Sequence, residues 1–250
     1  MPEALGPLLE SGGLWLLIGA TLAAGLVRGF AGFGTGMIYL PAAGQVLDPL
    51  PAVLTLLVMD LFGPVPNVPR AWTTADKREL GLLFGGMVVA LPFGLALLML
   101  LPPEIFRYGV SVLTLALLVM LVGGLRYRGA MTRPLVAGTG GLAGLLGGVA
   151  GLPGPPVILL YMASPLPAAV VRATNLLFLF GFDLAMLALT GLQGLLGWEV
   201  LVLGLVLAVP NLVGNIAGGW LFRPGGERIY RAVAYIVIAV SALSGLPFWD

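Results

Sequence analysis

The chain has 250 residues, a mean hydropathy of +1.07, and only 12 Lys or Arg against 11 Asp or Glu. At 9% charged residues it lies far below the level of a soluble domain, about a quarter, and it reads as a polytopic helical membrane protein in one transmembrane domain, 1–250. The absence of cysteine and histidine removes disulfides, thiolate metal sites and the commonest general base, and a net charge of +1 offers no footprint for nucleic acid.

No Lys or Arg precedes Arg28, so a cleavable leader with a basic start is not supported. The first apolar stretch, 14–47, carries Gly25-Leu-Val-Arg-Gly29-Phe-Ala-Gly32-Phe-Gly34-Thr-Gly36, with Pro41 soon after. Single glycines such as Gly85, Gly86, Gly218 and Gly219 serve close helix packing. Five glycines in twelve residues followed by proline predict a broken helix instead. Helices are expected near 50–69, 79–101 and 105–125. A second broken segment, 135–163, carries Gly144-Leu-Leu-Gly147-Gly148-Val-Ala-Gly151-Leu-Pro153-Gly154-Pro155-Pro156, and helices follow near 168–192, 199–222 and 228–248.

The two broken segments align at an offset of 119, which pairs Gly25 with Gly144, Gly29 with Gly148 and Gly32 with Gly151. Asp48-Pro-Leu-Pro51-Ala52 finds Ser164-Pro-Leu-Pro167-Ala168, Pro92 finds Pro210, and Pro103 and Pro224 precede the last helix of each half. Residues ~10–125 and ~130–250 therefore read as two copies of one unit.

The basic residues choose between two topologies. If both broken segments cross the membrane, Arg70, Lys77, Arg78, Arg126, Arg128 and Arg133 oppose Arg107, Arg172, Arg223, Arg228 and Arg231, six against five. If both turn back, the second half is inverted and ten of these eleven share a side, with only Arg107 opposite. The positive-inside rule prefers the second arrangement. The expected fold is all-α and integral to the membrane. It comprises two inverted repeats, each a broken re-entrant helical hairpin plus three transmembrane helices, with the five tryptophans near helix ends as interfacial anchors.

About fourteen residues, or 21 Å, bring each hairpin past the midplane. The returning half-helices start near Thr35-Gly36 and Gly154-Pro155-Pro156. Helix N-termini carry free N–H groups and partial positive charge, and two of them facing each other suit an anion rather than a metal cation. The candidate substrate-binding residues are Arg28, Gly32, Phe33, Gly34, Thr35, Gly36, Gly151, Leu152, Pro153, Gly154, Pro155, Asn175 and Asn211. Arg28 either contacts substrate, snorkels, or pairs with Asp60. Asp60 and Asp183, near the centres of their helices, are candidates for proton coupling or for structural bonds. Tyr39 and Tyr161 either lend hydroxyls or pack.

A duplicated Gly-x-x-Gly-x-Gly turn followed by proline, with a Pro-x-x-Ala start to the next helix, resembles the TauE/SafE sulfite exporter family over nearly the whole chain. Gly29, Gly32, Gly34, Gly36 and Pro41 match its first turn, and Gly148, Gly151, Gly154 and Pro156 its second. Pro153 and Pro155 depart from the pattern. The resemblance implies a small-anion permease, for sulfite, organosulfonates or related compounds, rather than an enzyme.

The expected protein is thus a multi-pass carrier of a bacterial-type inner membrane, working by alternating access with Pro92 and Pro210 as hinges. Its partners are a small anionic substrate and the lipid bilayer; no cofactor is expected, and small-residue faces permit a homodimer. The rival readings are an anion channel and a non-transporting membrane subunit.

Overall fold

The structure, a computed structural model, describes residues 12–31, 33–124, 131–161, 166–221 and 227–246. Among these it is all-helical. The first half holds α1 (Gly13–Ala31), α2 (Thr35–Ala43), α3 (Pro49–Asp60), α4 (Val68–Thr74), α5 (Lys77–Leu100) and α6 (Pro103–Val122). The second holds α7 (Arg133–Ala150), α8 (Gly154–Tyr161), α9 (Ala168–Leu192), α10 (Trp198–Leu221) and α11 (Glu227–Ser244). Five of these, α1, α5, α6, α9 and α10, are long and apolar enough to cross a membrane, and a bent pair after Pro49 makes a sixth.

Both expected breaks are present, and one unexpected break joins them. The helix predicted over 50–69 stops at Asp60, and the chain resumes at Val65 with a 48° bend. Gly63, Pro64, Pro66 and Pro69 cause it, because each proline withholds an N–H and clashes with the turn before it. Asp60 therefore sits at the last residue of α3 rather than near a helix centre. Asp183 does lie well inside α9. Two further differences concern length. At 19 and 18 residues α1 and α7 extend about 28 and 27 Å, beyond the fourteen residues expected of a half-helix. The apolar part of α11, Ala232–Ser244, is shorter than a span.

The repeated glycines divide into two jobs. Gly25 and Gly29 seat α1 against the backbone of Asn211, Asn215 and Gly218 on α10, and Gly214 and Gly218 return the contact at Leu22 and Leu26. Gly140, Gly144 and Gly148 do the same for α7 against Leu83, Met87 and Gly94 on α5. A β-carbon at these positions would collide with backbone, which explains the small residues. Contacts progress in register along each pair, so α1 runs in the direction of α10, and α7 in that of α5. Val58 with Gly204 and Asp60 with Asn211 align α3 with α10. Thr174 with Asp76 and Gly181 with Phe84 align α9 with α5.

The outer face is apolar: Val88, Val89 and Phe93 of α5 and Val209, Val213 and Ile216 of α10 are exposed, as lipid-facing side chains are. Trp15, Trp72, Trp198 and Trp220 are exposed at helix ends, while Trp249 lies outside the described residues. Gly148→Val is expected to cost about 1–3 kcal/mol by overpacking α7 on α5. It should lower the unfolding temperature of the detergent-purified protein. Gly85 was expected to serve helix packing like Gly86, but a β-carbon there meets nothing within 4 Å, so Gly85→Val should leave that temperature unchanged.

Candidate substrate site

Each break is made by a glycine in the left-handed region. Gly34, at φ +105°, opens α2 and supplies no side-chain cap. Gly151, at φ +64°, closes α7 and donates its N–H to the Gly147 carbonyl at 2.8 Å. Only glycine takes such a φ without strain. The two breaks touch: a β-carbon on Gly36 would lie 3.0 Å from Leu152 Cδ2 and 3.1 Å from the Gly151 carbonyl oxygen.

Between them is a cavity of about 90 Å³, several times the space one water needs. It is lined by Arg28, Phe33, Gly34, Thr35 and Gly36 from the first break, Gly151, Leu152, Pro153, Gly154 and Pro155 from the second, and both Asp60 and Asp183. The structure thus brings together twelve residues that the sequence singled out from two distant segments and two further helices. Asn175 and Asn211 do not line the cavity, and Gly32 lies outside the described residues.

The polar groups form a chain. Arg28 makes an ion pair with Asp60, and its Nη1 donates to Thr35 Oγ1 at 3.3 Å. Asn211 Nδ2 donates to Asp60 Oδ1 at 3.1 Å, so Asn211 acts behind Asp60 as its support. Of the readings open to Arg28, the structure realises pairing with Asp60. Asp183, 7% exposed, lies within electrostatic reach of Arg28 and Asp60 and bonds to neither. Tyr39 shares a 2.8 Å hydrogen bond with Thr55 away from the cavity.

The two half-helix ends differ in their donors. At the start of α2 the N–H groups of Thr35, Gly36 and Met37 have no helical partner, because the first bond of that turn runs from Ile38 N to Gly34 O. At the start of α8, Pro155 and Pro156 have no N–H to give. Both ends carry the helix dipole, but hydrogen-bond donation comes mainly from the first.

Sequence reasoning missed the apolar lining: Met37, Leu56 and Leu57, Leu121 of α6, and Ile158 and Leu179. Nothing marks a leucine as cavity-facing in a chain so rich in them. Among the described residues no group of three or more Asp or Glu comes together to hold a metal ion.

A helical bundle with five or six helices of spanning length, a lipid-facing apolar surface and a cavity between broken helices that holds one arginine and two aspartates is an integral, multi-pass membrane protein of the transporter class. The profile described as sulfite exporter TauE/SafE matches residues 17–245, and the chain belongs to that family of membrane anion transporters. Comparison with curated proteins and with solved structures gives no match.

Proposed function

We propose that this protein carries a small sulfur or organic oxyanion, such as sulfite or an organosulfonate, together with a proton across a bacterial-type inner membrane by alternating access. The charge set of the cavity carries this reading: one guanidinium already paired with Asp60, plus a second carboxylate, Asp183, that bonds to neither. With both carboxylates ionised the site is net negative. An anion 5 Å from Asp183 is then repelled by about 3 kcal/mol at an effective dielectric of 20. A proton on Asp183 removes that repulsion, leaving the free N–H groups of Thr35, Gly36 and Met37 to bind the anion. Anion and proton therefore load together and travel in the same direction.

Helix directions support inverted halves. Because α1, α3 and α10 share one direction, Gly13 and Pro49 start on one face, and the α1–α2 segment between them turns back. Because α7, α5 and α9 share one direction, the α7–α8 segment turns back towards the face where Arg133 lies. The short 193–197 link sets α10 against α9, so the halves have opposite sense. Arg70, Lys77, Arg78, Arg133 and Arg172 then share a face, which the positive-inside rule makes cytoplasmic. The tight α1–α10 and α5–α7 pairs suit rigid units that rock, and Pro92 and Pro210, inside the continuous helices α5 and α10, each remove one helical hydrogen bond where a helix could flex.

A thermal-shift screen against sulfite, sulfate, sulfoacetate and short carboxylates tests binding. A ligand at a hundred times its dissociation constant adds about 2.7 kcal/mol. Flux into liposomes tests transport. Gly154→Leu, whose side chain would project between Leu179 and Ile158 into the cavity, is expected to abolish both. Undiminished flux in that variant rules out the site, and conductance without saturation makes the protein a channel.

A further inference from the structure

Beyond the cavity, towards the face rich in arginine, three buried oxygens have no hydrogen-bond partner: Glu79 Oε2, Tyr161 Oη and Asn175 Oδ1. Tyr161 is 3% exposed. Its hydroxyl lies against the Glu79 carboxylate, so α8 meets α5 through this polar pair. Thr174, beside Asn175, accepts from the backbone N–H of Asp76 at 3.3 Å, which ties the start of α9 to the start of α5. A buried oxygen without a partner costs about 1–3 kcal/mol, and three at one end of the bundle are a poor way to build structure alone.

Helical spacing connects this cluster to the cavity. Asn175, Leu179 and Asp183 follow at intervals of four on α9, which puts them on one face. Ile158 and Tyr161 follow at an interval of three on α8. Leu179 and Ile158 line the cavity, and their terminal methyls converge over Gly154, at 3.6 and 3.8 Å from a β-carbon built there. The order along both helices is the same: cavity, then an apolar pair, then the polar cluster.

We infer that Glu79, Tyr161 and Asn175 form a second polar site, a relay that passes protons between the arginine-rich face and Asp183 through a gate made by Ile158 and Leu179. This rests on the reading of Asp183 as the proton-carrying group. Glu79 takes a proton from bulk water. When the two apolar side chains part, that proton reaches the Asp183 carboxylate through water ordered by Tyr161 and Asn175. Glu79 is left ionised and Asp183 neutral, and the reverse sequence releases the proton. The charged groups around Glu79 are its own helix-capping Asp76, which accepts from the N–H of Arg78 and Glu79, and the exposed Lys77, Arg78, Arg133 on α7 and Arg172 on α9. The basic residues hold protons away from the face except where Glu79 offers an acceptor.

The absence of cysteine makes the test direct in the full-length protein reconstituted in liposomes. Asn175→Cys should react with a membrane-impermeant methanethiosulfonate from the arginine-rich face only. Asp183→Cys should become about tenfold more reactive from that face when Leu179→Ala is added, since thiol reactivity follows access. Reaction of Asn175→Cys from the opposite face, or no effect of Leu179→Ala, overturns the relay whether or not transport is seen. With radiolabelled sulfite as probe, Glu79→Gln and Tyr161→Phe should lower the ratio of proton-driven net flux to solute exchange by about tenfold or more, the scale of a lost proton-transfer group. Glu79→Asp, which keeps the carboxylate, should recover part of it. An unchanged ratio overturns the relay. Wild-type protein that carries no sulfite while the labelling pattern holds overturns the substrate reading and leaves the relay standing.

Discussion

Arg28→Met is expected to destabilise the protein by about 3–5 kcal/mol, because it leaves Asp60 as an uncompensated charge inside the bundle. The pair is about four-fifths buried on each side, at 18% and 15% exposure, and it joins three elements: α1, the end of α3, and through Thr35 the tip of α2. Asn211 adds a fourth from α10. At about 2–4 °C per kcal/mol for a chain of this size, the unfolding midpoint in detergent should fall by roughly 10 °C. Arg28→Met combined with Asp60→Asn should recover most of the loss, since neutral groups in the same space carry little desolvation cost. Two single losses that simply add in the double variant would mean that Arg28 and Asp60 act independently, and the ion pair would then not be what ties the first break to α3.

Asp183→Asn should separate transport from its driving force. Asparagine keeps the size of the side chain and holds the site permanently in the uncharged form that admits an anion. Exchange of labelled for unlabelled anion should therefore persist and become insensitive to pH. Net accumulation driven by a proton gradient should vanish. For one proton per anion, each pH unit across the membrane is worth about 1.4 kcal/mol, or tenfold accumulation, so the loss is measured against a large signal. The wild-type protein should show the opposite trend, with faster uptake as the outside is acidified. Accumulation that survives in Asp183→Asn would transfer the coupling role away from this residue.

How far these features were legible depended on whether their cause is local. The breaks at Gly34 and Gly151 could be read because left-handed backbone demands glycine, and the sequence spends glycine twice at corresponding places. That the breaks meet was expected from the repeat, and Asp60 and Asp183 stood out because so few ionisable residues interrupt the spans; that both carboxylates line the same cavity is set by tertiary contacts. The break after Asp60 was equally written in the chain, in Gly63, Pro64, Pro66 and Pro69, yet apolar neighbours on both sides suggested one continuous helix. Tertiary contacts were the illegible part. Nothing local distinguishes Asn211, which supports Asp60, from Asn175, which lies off the cavity with its Oδ1 buried and unpartnered. Nothing in the sequence of α6 distinguishes Leu121, at the cavity, from its other leucines. The glycines gave mixed returns: Gly25, Gly29, Gly144 and Gly148, part of the repeat that pointed to the breaks, serve to seat α1 on α10 and α7 on α5.

If the protein works by alternating access, as proposed, the unequal donor sets of α2 and α8 bear on its resting balance. Two identical inverted halves would make the inward-facing and outward-facing forms mirror images of equal energy. Here the anion would be held by Thr35, Gly36 and Met37, while Pro155 and Pro156 offer it nothing but a dipole. On the proposed alternating-access reading, the cargo would belong to the first half and the second half would be the wall that moves past it. The two facing states would then lose their degeneracy, and a difference of only 1.4 kcal/mol would set them at about ten to one. A preferred direction in the unloaded protein would thus be written into two prolines.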